Sequence, residues 1–250
     1  MTDAVSFRMQ VAGLRFQVTC QYSSTRAYCA EYLTEEDLLV SEAVVISPED
    51  IEGERSRLLS KKNPGEMLEA STPQNLEILV LCRKIADLLP QYNRALFHGS
   101  SLAIDGSGVV FTAKSGTGKS THTGLWRQVF GDRVQMINDD KPFLEIREEG
   151  VFVHGTPWRG KHALGGNLSA PLKAVVFVTR GQVNRITPVT PRELFPLLLQ
   201  QTYTPEDPAA MVKTLALVER LSRKVQLLKL ECNMDPEAAQ VACGGINFEE

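Results

Sequence analysis

The sequence predicts an α/β protein that is organised around a phosphate-binding loop between a strand and a helix. Val109–Thr112 is a run of β-branched and aromatic residues, and a glycine-containing turn follows it. The turn leads into Lys119–Thr121, after which apolar residues recur with helical spacing. A strand, a tight turn and a helix start, in this order, form the setting that a phosphate-binding loop requires. A glycine turn that merely precedes a helix is the structural alternative.

The loop predicts ATP and magnesium as ligands. Gly116 and Gly118 allow the backbone to come close to an anion and to adopt positive φ. Amides at the start of the helix would point at phosphate oxygens. Lys119 would reach the β- and γ-phosphates, and the Ser120 hydroxyl would bind Mg²⁺. The residues predicted to contact the nucleotide are Ser115, Gly116, Thr117, Gly118, Lys119, Ser120 and Thr121.

The acidic pair Asp139-Asp140 follows the apolar stretch Val134–Asn138. We expect a buried strand that ends in two carboxylates, at the sheet edge where α/β proteins bind ligands. One carboxylate would hold the metal, and the other would accept the proton of an attacking hydroxyl. Adjacent residues on an extended strand point in opposite directions, so both can serve only if the backbone turns; the nearby Pro142 favours a turn. A solvated acidic turn is the alternative.

Two further positions are candidates for contact with the transferred phosphate. Asp105-Gly106 lies between two apolar runs and predicts a hairpin, which puts His98 on the strand leading into it and close to the nucleotide. The loop from Gly155 to Asn167 is glycine-rich and cationic, and its Arg159 would stabilise charge on a phosphoryl group. A histidine bonded to backbone and a cation on a solvated loop are the respective alternatives.

The remaining pattern predicts two parts with a boundary near residue 92. Residues 1–92 are expected to form a small α+β region with no assigned role, and residues 93–250 a kinase domain. The first part should contain a hairpin at 5–20, strands at 38–40 and 43–46, and helices at 48–60 and 72–89. The second should contain a central strand at 172–178, helices from 190, 207 and 235, and a strand at 225–230.

Composition narrows the classes of partner. Lys+Arg 27 against Asp+Glu 30 gives a net charge of −3, so no broad basic surface predicts nucleic acid as a partner. Charged residues interrupt the most apolar helical stretch, which argues against a membrane span. The N-terminus lacks the pattern of a signal peptide. Five cysteines without a Cys-x-x-Cys pair argue against a disulfide framework and a cysteine zinc site. We therefore expect a cytoplasmic protein.

These motifs resemble the HPr kinase/phosphorylase and phosphoenolpyruvate carboxykinase group. Ser115–Ser120 is close to the carboxykinase form of the loop. His98-Gly99 before a hairpin and the strand ending in Asp139-Asp140 are similar to the HPr kinase pattern. The stretch Pro157–Pro171 resembles the Pro-Trp-x-Gly-Lys loop of small HPr-kinase-like proteins in bacterial gene clusters. The resemblance covers about residues 93–243.

The resemblance implies a phosphate-binding-loop core of mixed sheet flanked by helices, with a small α+β N-terminal region. It implies that His98 lies near the transferred phosphate, with one aspartate as base and the other near the metal; we assign Asp139 as base and Asp140 to the metal. A homo-oligomer is possible on the same ground. Thr121 stands where HPr kinases usually have Glu, and residues 1–92 do not match their N-terminal domain. These departures argue against HPr as the substrate.

The sequence thus predicts a bacterial ATP-dependent kinase that transfers the γ-phosphate to a hydroxyl of a small molecule or peptide. A protein-serine kinase/phosphorylase of the HPr kinase type is one alternative. A non-catalytic regulator that binds ATP through the same loop is another, although a pure sensor has no need of a base. A reversible enzyme that also uses pyrophosphate is a third.

Overall fold

The structure, a computed structural model, describes residues 4–36, 39–61, 72–114 and 117–249. It divides into two compact units, Met1–Asp87 and Leu88–Glu250. The predicted division into a region of unknown role and a kinase domain stays a prediction, because compactness does not show what either unit does.

The first unit contains a three-stranded sheet in the order β1-β2-β3. Strands β1 and β2 form the predicted hairpin, which turns at Ala12 and Gly13, both with positive φ. Strand β3 runs parallel to β2. The predicted helices are present as α2 and α3. The elements are β1 Val5–Val11, β2 Leu14–Cys20, α1 Ser23–Tyr28, β3 Glu42–Val45, α2 Pro48–Lys61 and α3 Pro73–Leu88.

A buried carboxylate on α3 fastens the start of helix α1. Glu77 accepts hydrogen bonds from the amides of Gln21 and Tyr22 at 2.6 and 3.1 Å and from the hydroxyl of Thr25. No side chain of α1 itself caps its first turn. Because the first amides of a helix have no partner within it, Glu77 supplies from α3 the acceptor that the local sequence lacks.

The second unit contains a mixed sheet with helices on both faces, which confirms the predicted α/β class. The described strands follow the order β4-β8-β9-β10-β6-β5-β7, with β12 beside β10 and β11 beside β12. The elements are β4 Arg94–Leu96, β5 Ser100–Ile104, β6 Ser107–Thr112, α4 Lys119–Phe130, β7 Val134–Asn138, β8 Phe143–Ile146, β9 Val151–His154, β10 Ser169–Arg180, β11 Arg185–Pro188, α5 Pro191–Gln201, α6 Pro208–Lys224, β12 Gln226–Cys232 and α7 Glu237–Gly244.

Strand β10 is the central strand of this sheet, as its apolar sequence predicts. It pairs in parallel with β6 on one side and with β12 on the other, and its first residues pair with β9. Alternate residues enter two cores: Val176 packs in the core that includes Trp126 of α4 and Ala238 of α7, and Val175 in the core that includes Leu198 of α5. The parallel strands β6, β10 and β12 therefore end at one edge, with α4 and α7 on one face and α5 and α6 on the other.

Most of the other predicted elements are confirmed, including the hairpin formed by β5 and β6. Of the predicted strand at 38–40, residue 38 lies outside the described residues, and Leu39 and Val40 belong to no strand. Helix α1 and strands β8 and β11 were not predicted. Among the described helices, none combines the length and the apolar character needed to cross a bilayer.

Candidate active site

The predicted phosphate-binding loop connects β6 to α4. The amide and hydroxyl of Thr117 donate to the carbonyl of Lys114 at 3.2 and 2.7 Å. Gly118 precedes the helix with a φ of 115°, a conformation that favours glycine. The predicted ligands Ser115 and Gly116 lie outside the described residues, so the phosphate-binding conformation of the whole loop stays a prediction.

The side chain of Lys119 is buried at the start of α4. Its Nζ donates to the carbonyl of Ala113 at 3.4 Å, so the ammonium group lies beside the end of β6. Burial lowers the pKa of Lys119, and the neighbouring Asp140 and Asp139 act in the opposite direction. The structure thus brings the loop lysine and both predicted acids together. Ser120 is half-buried in the same first helical turn.

The backbone turns directly after β7, as the use of both acids requires. The buried Asn138 is the last residue of the strand, and its Oδ1 accepts from the amides of Asp140 and Lys141 at 2.9 and 2.7 Å. Its Nδ2 donates to the carbonyl and hydroxyl of Thr156 at 3.1 and 3.0 Å. Asn138 therefore holds the acidic turn and joins it to the loop that follows β9.

The first acid, Asp139, is buried and linked to helix α4 through hydroxyl groups. The Ser100 hydroxyl on β5 donates to Asp139 Oδ1 at 2.6 Å and lies 3.0 Å from Thr123 Oγ1. The single hydrogen of the Thr123 hydroxyl can go either to Ser100 Oγ or to the carbonyl of Ser120, which lies 3.2 Å away. These contacts direct Asp139 towards the first turn of α4.

The second acid, Asp140, is half-buried and has a different environment. It forms an ion pair with Lys141, and its Oδ1 lies 3.6 Å from Nε2 of His98. A Cβ added to Gly160 would come within 3.1 Å of Asp140 Cβ, so the loop after β9 packs directly on this acid. Cationic or protonatable groups therefore surround Asp140.

The prediction that His98 lies on a strand is wrong. It lies between β4 and β5, where its amide donates to the carbonyl of Gln201 at 2.7 Å and the Gly99 amide donates to that of Asp140 at 3.0 Å. Neither His98 nor Gly99 belongs to a described strand. A Cβ on Gly99 would meet Val110 Cγ1 at 2.8 Å, so only glycine permits this close approach.

His98 lies beside Asp140, whereas its predicted proximity to the nucleotide stays a prediction. His98 Nδ1 donates to Gln201 Oε1 at 3.0 Å, and Nε2 faces Asp140. Burial lowers the pKa of His98, and the charge of Lys119 lowers it further. The charge of Asp140 and the hydrogen bond to Gln201 act on this pKa in the opposite direction. A role in phosphate transfer stays a prediction.

Arg159 belongs to the loop between β9 and β10, whose Gly160 packs on Asp140. Its Nη1 donates to the carbonyl of Gly165 at 2.6 Å, so part of the guanidinium group braces its own loop. The amide of Lys141 donates to the carbonyl of Trp158 at 3.2 Å and joins the loop to the acidic turn. The predicted contact of Arg159 with a phosphoryl group stays a prediction, as does the nucleotide contact of the exposed Thr121.

The residue types at this site are compatible with Mg²⁺, whose binding stays a prediction. Ser120 supplies a hydroxyl and the acidic pair supplies carboxylates, the oxygen ligands that this ion prefers. Within the described ranges, no group of three or more His, Cys, Asp or Glu side chains is arranged to hold a metal alone. Mg²⁺ usually takes one or two carboxylates and completes its shell with water and substrate phosphates, so this donor set suits it when a nucleotide is present.

Several contacting residues were not predicted from sequence: Ser100, Thr123, Asn138, Thr156 and Gln201. The position of Asn138 just before a predicted turn was a usable signal, because Asn side chains often accept from backbone amides two residues on. Ser100 and Gln201 carried no such signal, since strand pairing and helix packing alone bring them to the site.

Comparisons with known proteins give limited information. No family model and no curated protein matches the sequence. Among solved structures, the HPr(Ser) kinase/phosphatase of Coxiella burnetii is similar to this chain, with 10% sequence identity over 60% of this chain and 94% of that one and a TM-score of 0.32. These values are too low to transfer an activity or the role of any residue.

Proposed function

We propose that this chain is an ATP-dependent phosphotransferase that moves the γ-phosphate to a hydroxyl acceptor. The observation that carries the proposal is the gathering of Lys119, Asp139, Asp140 and His98 at the N-terminus of α4. A buried ammonium group, two carboxylates and helix amides in one place match the charges of a metal–polyphosphate complex.

A cleft beside the loop supports nucleotide binding. It has a volume of about 440 Å³ and lies on the α4 face of the sheet, at the C-terminal ends of β10 and β12. α/β sheets bind ligands at this edge. Its lining includes Gly118 and His122 from the start of α4, Gly181 after β10 and Asn233 after β12. We infer that the nucleoside lies in this cleft while its phosphates extend towards Lys119.

The contacts favour an exchange of the roles that the sequence suggested for the two acids. Asp139 accepts from Ser100, which contacts Thr123 of α4, and the first turn of this helix carries Ser120, so we assign Asp139 to the Mg²⁺ side. Asp140 is more open and lies beside His98, so we assign it to the acceptor hydroxyl, whose proton it would take. Bound Mg²⁺ would neutralise charge on the phosphate oxygens.

Most of the rate would come from positioning and from charge stabilisation, as is usual in phosphoryl transfer. Lys119 would bind the β- and γ-phosphates. His98, held by Gln201, would orient Asp140 and the incoming hydroxyl. The loop around Gly160, which packs on Asp140, would exclude water from one side.

The test uses labelled ATP, Mg²⁺ and a panel of hydroxyl compounds. We expect Lys119→Ala to abolish ATP binding, whereas Lys213→Ala, an exposed change on α6, should behave like wild type. We expect Asp140→Asn to abolish transfer while ATP binding stays near wild type, and Asp139→Asn to weaken Mg²⁺-dependent ATP binding.

Three outcomes would contradict parts of this scheme. If Asp139→Asn is the variant that binds ATP normally but transfers nothing, the original assignment of Asp139 as base is correct. If wild-type protein binds ATP and leaves it intact with every acceptor and with water, the chain is a nucleotide-binding regulator. If wild type binds no nucleotide, the proposal fails entirely.

A further inference from the structure

A second cavity lies on the other face of β10 from the nucleoside cleft. Its volume is about 990 Å³, within the range typical of ligand sites. Phe177, which lines this cavity, belongs to the core under α5 and α6, whereas Val178, Thr179 and Arg180 at the end of β10 line both the cavity and the nucleoside cleft. The rest of the wall comes from Ala113 and Lys114 after β6, the end of β11, Lys229 in the middle of β12, and helix α5.

The inner end of this cavity meets the candidate active site at two points. Ala113 lines the cavity, and its carbonyl accepts from Nζ of Lys119. Gln201 also lines it, and its Oε1 accepts from Nδ1 of His98, whose Nε2 faces Asp140. A molecule in the cavity would therefore present one end to the residues that we assign to phosphoryl transfer.

The lining combines apolar surface with an excess of positive charge. Phe177, Val189, Leu194 and Leu197 provide the apolar part, and Leu197 remains 37% exposed. The cations are Lys114, Arg180 and Lys229, against a single carboxylate, Glu193. That carboxylate already accepts from the amide and hydroxyl of Thr190 at 3.0 and 2.6 Å, where it caps helix α5. The cavity thus suits an apolar body that carries an anionic group.

Lys229 is the cation best placed for that group. It lies on β12 in register with Phe177 of β10 and with Thr187 of β11, so the three residues form one row across the sheet. Lys229 and Thr187 are exposed at the outer part of the cavity, whereas Gln201 is buried at the active-site end.

We propose that this cavity binds the phosphoryl acceptor, and that the acceptor is a small amphipathic molecule with a hydroxyl, an apolar body and an anionic group. The inference rests on the proposed function. The hydroxyl oxygen forms a bond to the γ-phosphorus while the bond from that phosphorus to the β–γ bridging oxygen breaks. ADP leaves, and the hydroxyl proton passes to Asp140.

Binding is tested first, without any transfer. Anilinonaphthalene sulfonate has an apolar body and one anionic group, and its fluorescence reports binding. We expect Thr187→Trp, which fills the outer cavity from an exposed position, to weaken binding about tenfold or more, equivalent to about 1.4 kcal/mol. Lys229→Glu should weaken it severalfold, and Lys213→Glu, an exposed charge reversal on α6, should leave it unchanged. Equal binding by all four proteins would overturn the proposal.

Transfer is tested with three classes of acceptor: medium-chain ω-hydroxy acids, diols of the same length, and polar compounds such as glycerate and serine peptides. We expect the hydroxy acids to have the lowest KM, and Thr187→Trp to raise that KM without changing the KM for ATP. Preference for another class, an unchanged acceptor KM, or hydrolysis to water alone would overturn the acceptor assignment. Lys119→Ala should retain dye binding, so failure of the kinase proposal would be distinguishable from failure of the cavity proposal.

Discussion

The most specific structural prediction concerns Asn138, because its side chain holds the turn that carries Asp139 and Asp140. In Asn138→Ala, the amide of Lys141 would keep the Trp158 carbonyl and the Thr156 hydroxyl would keep the Lys141 carbonyl at 2.8 Å. The Asp140 amide and the Thr156 carbonyl would lose the partner that Asn138 provides. At about 1–3 kcal/mol for each buried polar group left without a partner, the expected loss of unfolding free energy is about 2–6 kcal/mol.

Urea unfolding followed by tryptophan fluorescence would measure this loss. Both tryptophans, Trp126 and Trp158, lie in the second unit and are buried there, so the signal reports that unit. Gln135→Ala, an exposed change on the same strand, should alter stability by less than about 0.5 kcal/mol. Because the turn positions Asp140, the phosphotransferase rate of Asn138→Ala should also fall in folded protein. A loss below about 1 kcal/mol with an unchanged rate would refute the reasoning.

Three other predictions concern single residues. Gly118→Ala should lower the free energy of unfolding by about 1–3 kcal/mol, because Gly118 has a positive φ, and calorimetry should show weaker ATP binding. Gly124→Ala should not destabilise the protein, because Gly124 lies within α4 and an added Cβ would meet no atom there. Burial lowers the pKa of His122 to about 4, so the unfolded state binds its proton first and stability should fall by about 3 kcal/mol between about pH 6.5 and 4. In His122→Gln the new side chain can still accept from Trp126 Nε1, and urea unfolding should no longer show this fall in stability at low pH. Glu77→Ala should destabilise the start of α1 by about 3 kcal/mol, seen as faster hydrogen exchange there, and unchanged exchange would contradict its role.

The fold was predictable wherever a local pattern is strong. The helix starts at Thr190 and Asp207 carry capping residues followed by proline, and both helices are present. Strand β8 has four residues and follows Pro142 closely, so it is too short to show a period. Strand β11 has four residues, of which three are exposed, and its pairing with β12 makes it a strand.

The charged residues of the site could be predicted from the sequence, whereas the residues that form hydrogen bonds to them could not. Lys119, Asp139 and Asp140 belong to motifs that can be read from a short stretch of sequence. Ser100 reaches Asp139 only because β5 lies between β6 and β7, and Gln201 reaches His98 from 103 residues away. Sheet order and helix packing decide such contacts, and a local sequence pattern does not contain that information.

The burial of Lys119, on which the proposed function already draws, agrees with the proposed binding of a polyanion at this site. Burial lowers the pKa of the ammonium group even though two carboxylates lie nearby. The free-energy cost of removing the charge from water therefore exceeds the stabilisation that these two carboxylates provide. A protein that folds only for stability would gain by replacing such a group with an apolar one. A bound triphosphate would bring the missing negative charge, and Lys119 is then stabilised most in the complex. This difference between free and bound protein is what a phosphate-binding lysine requires.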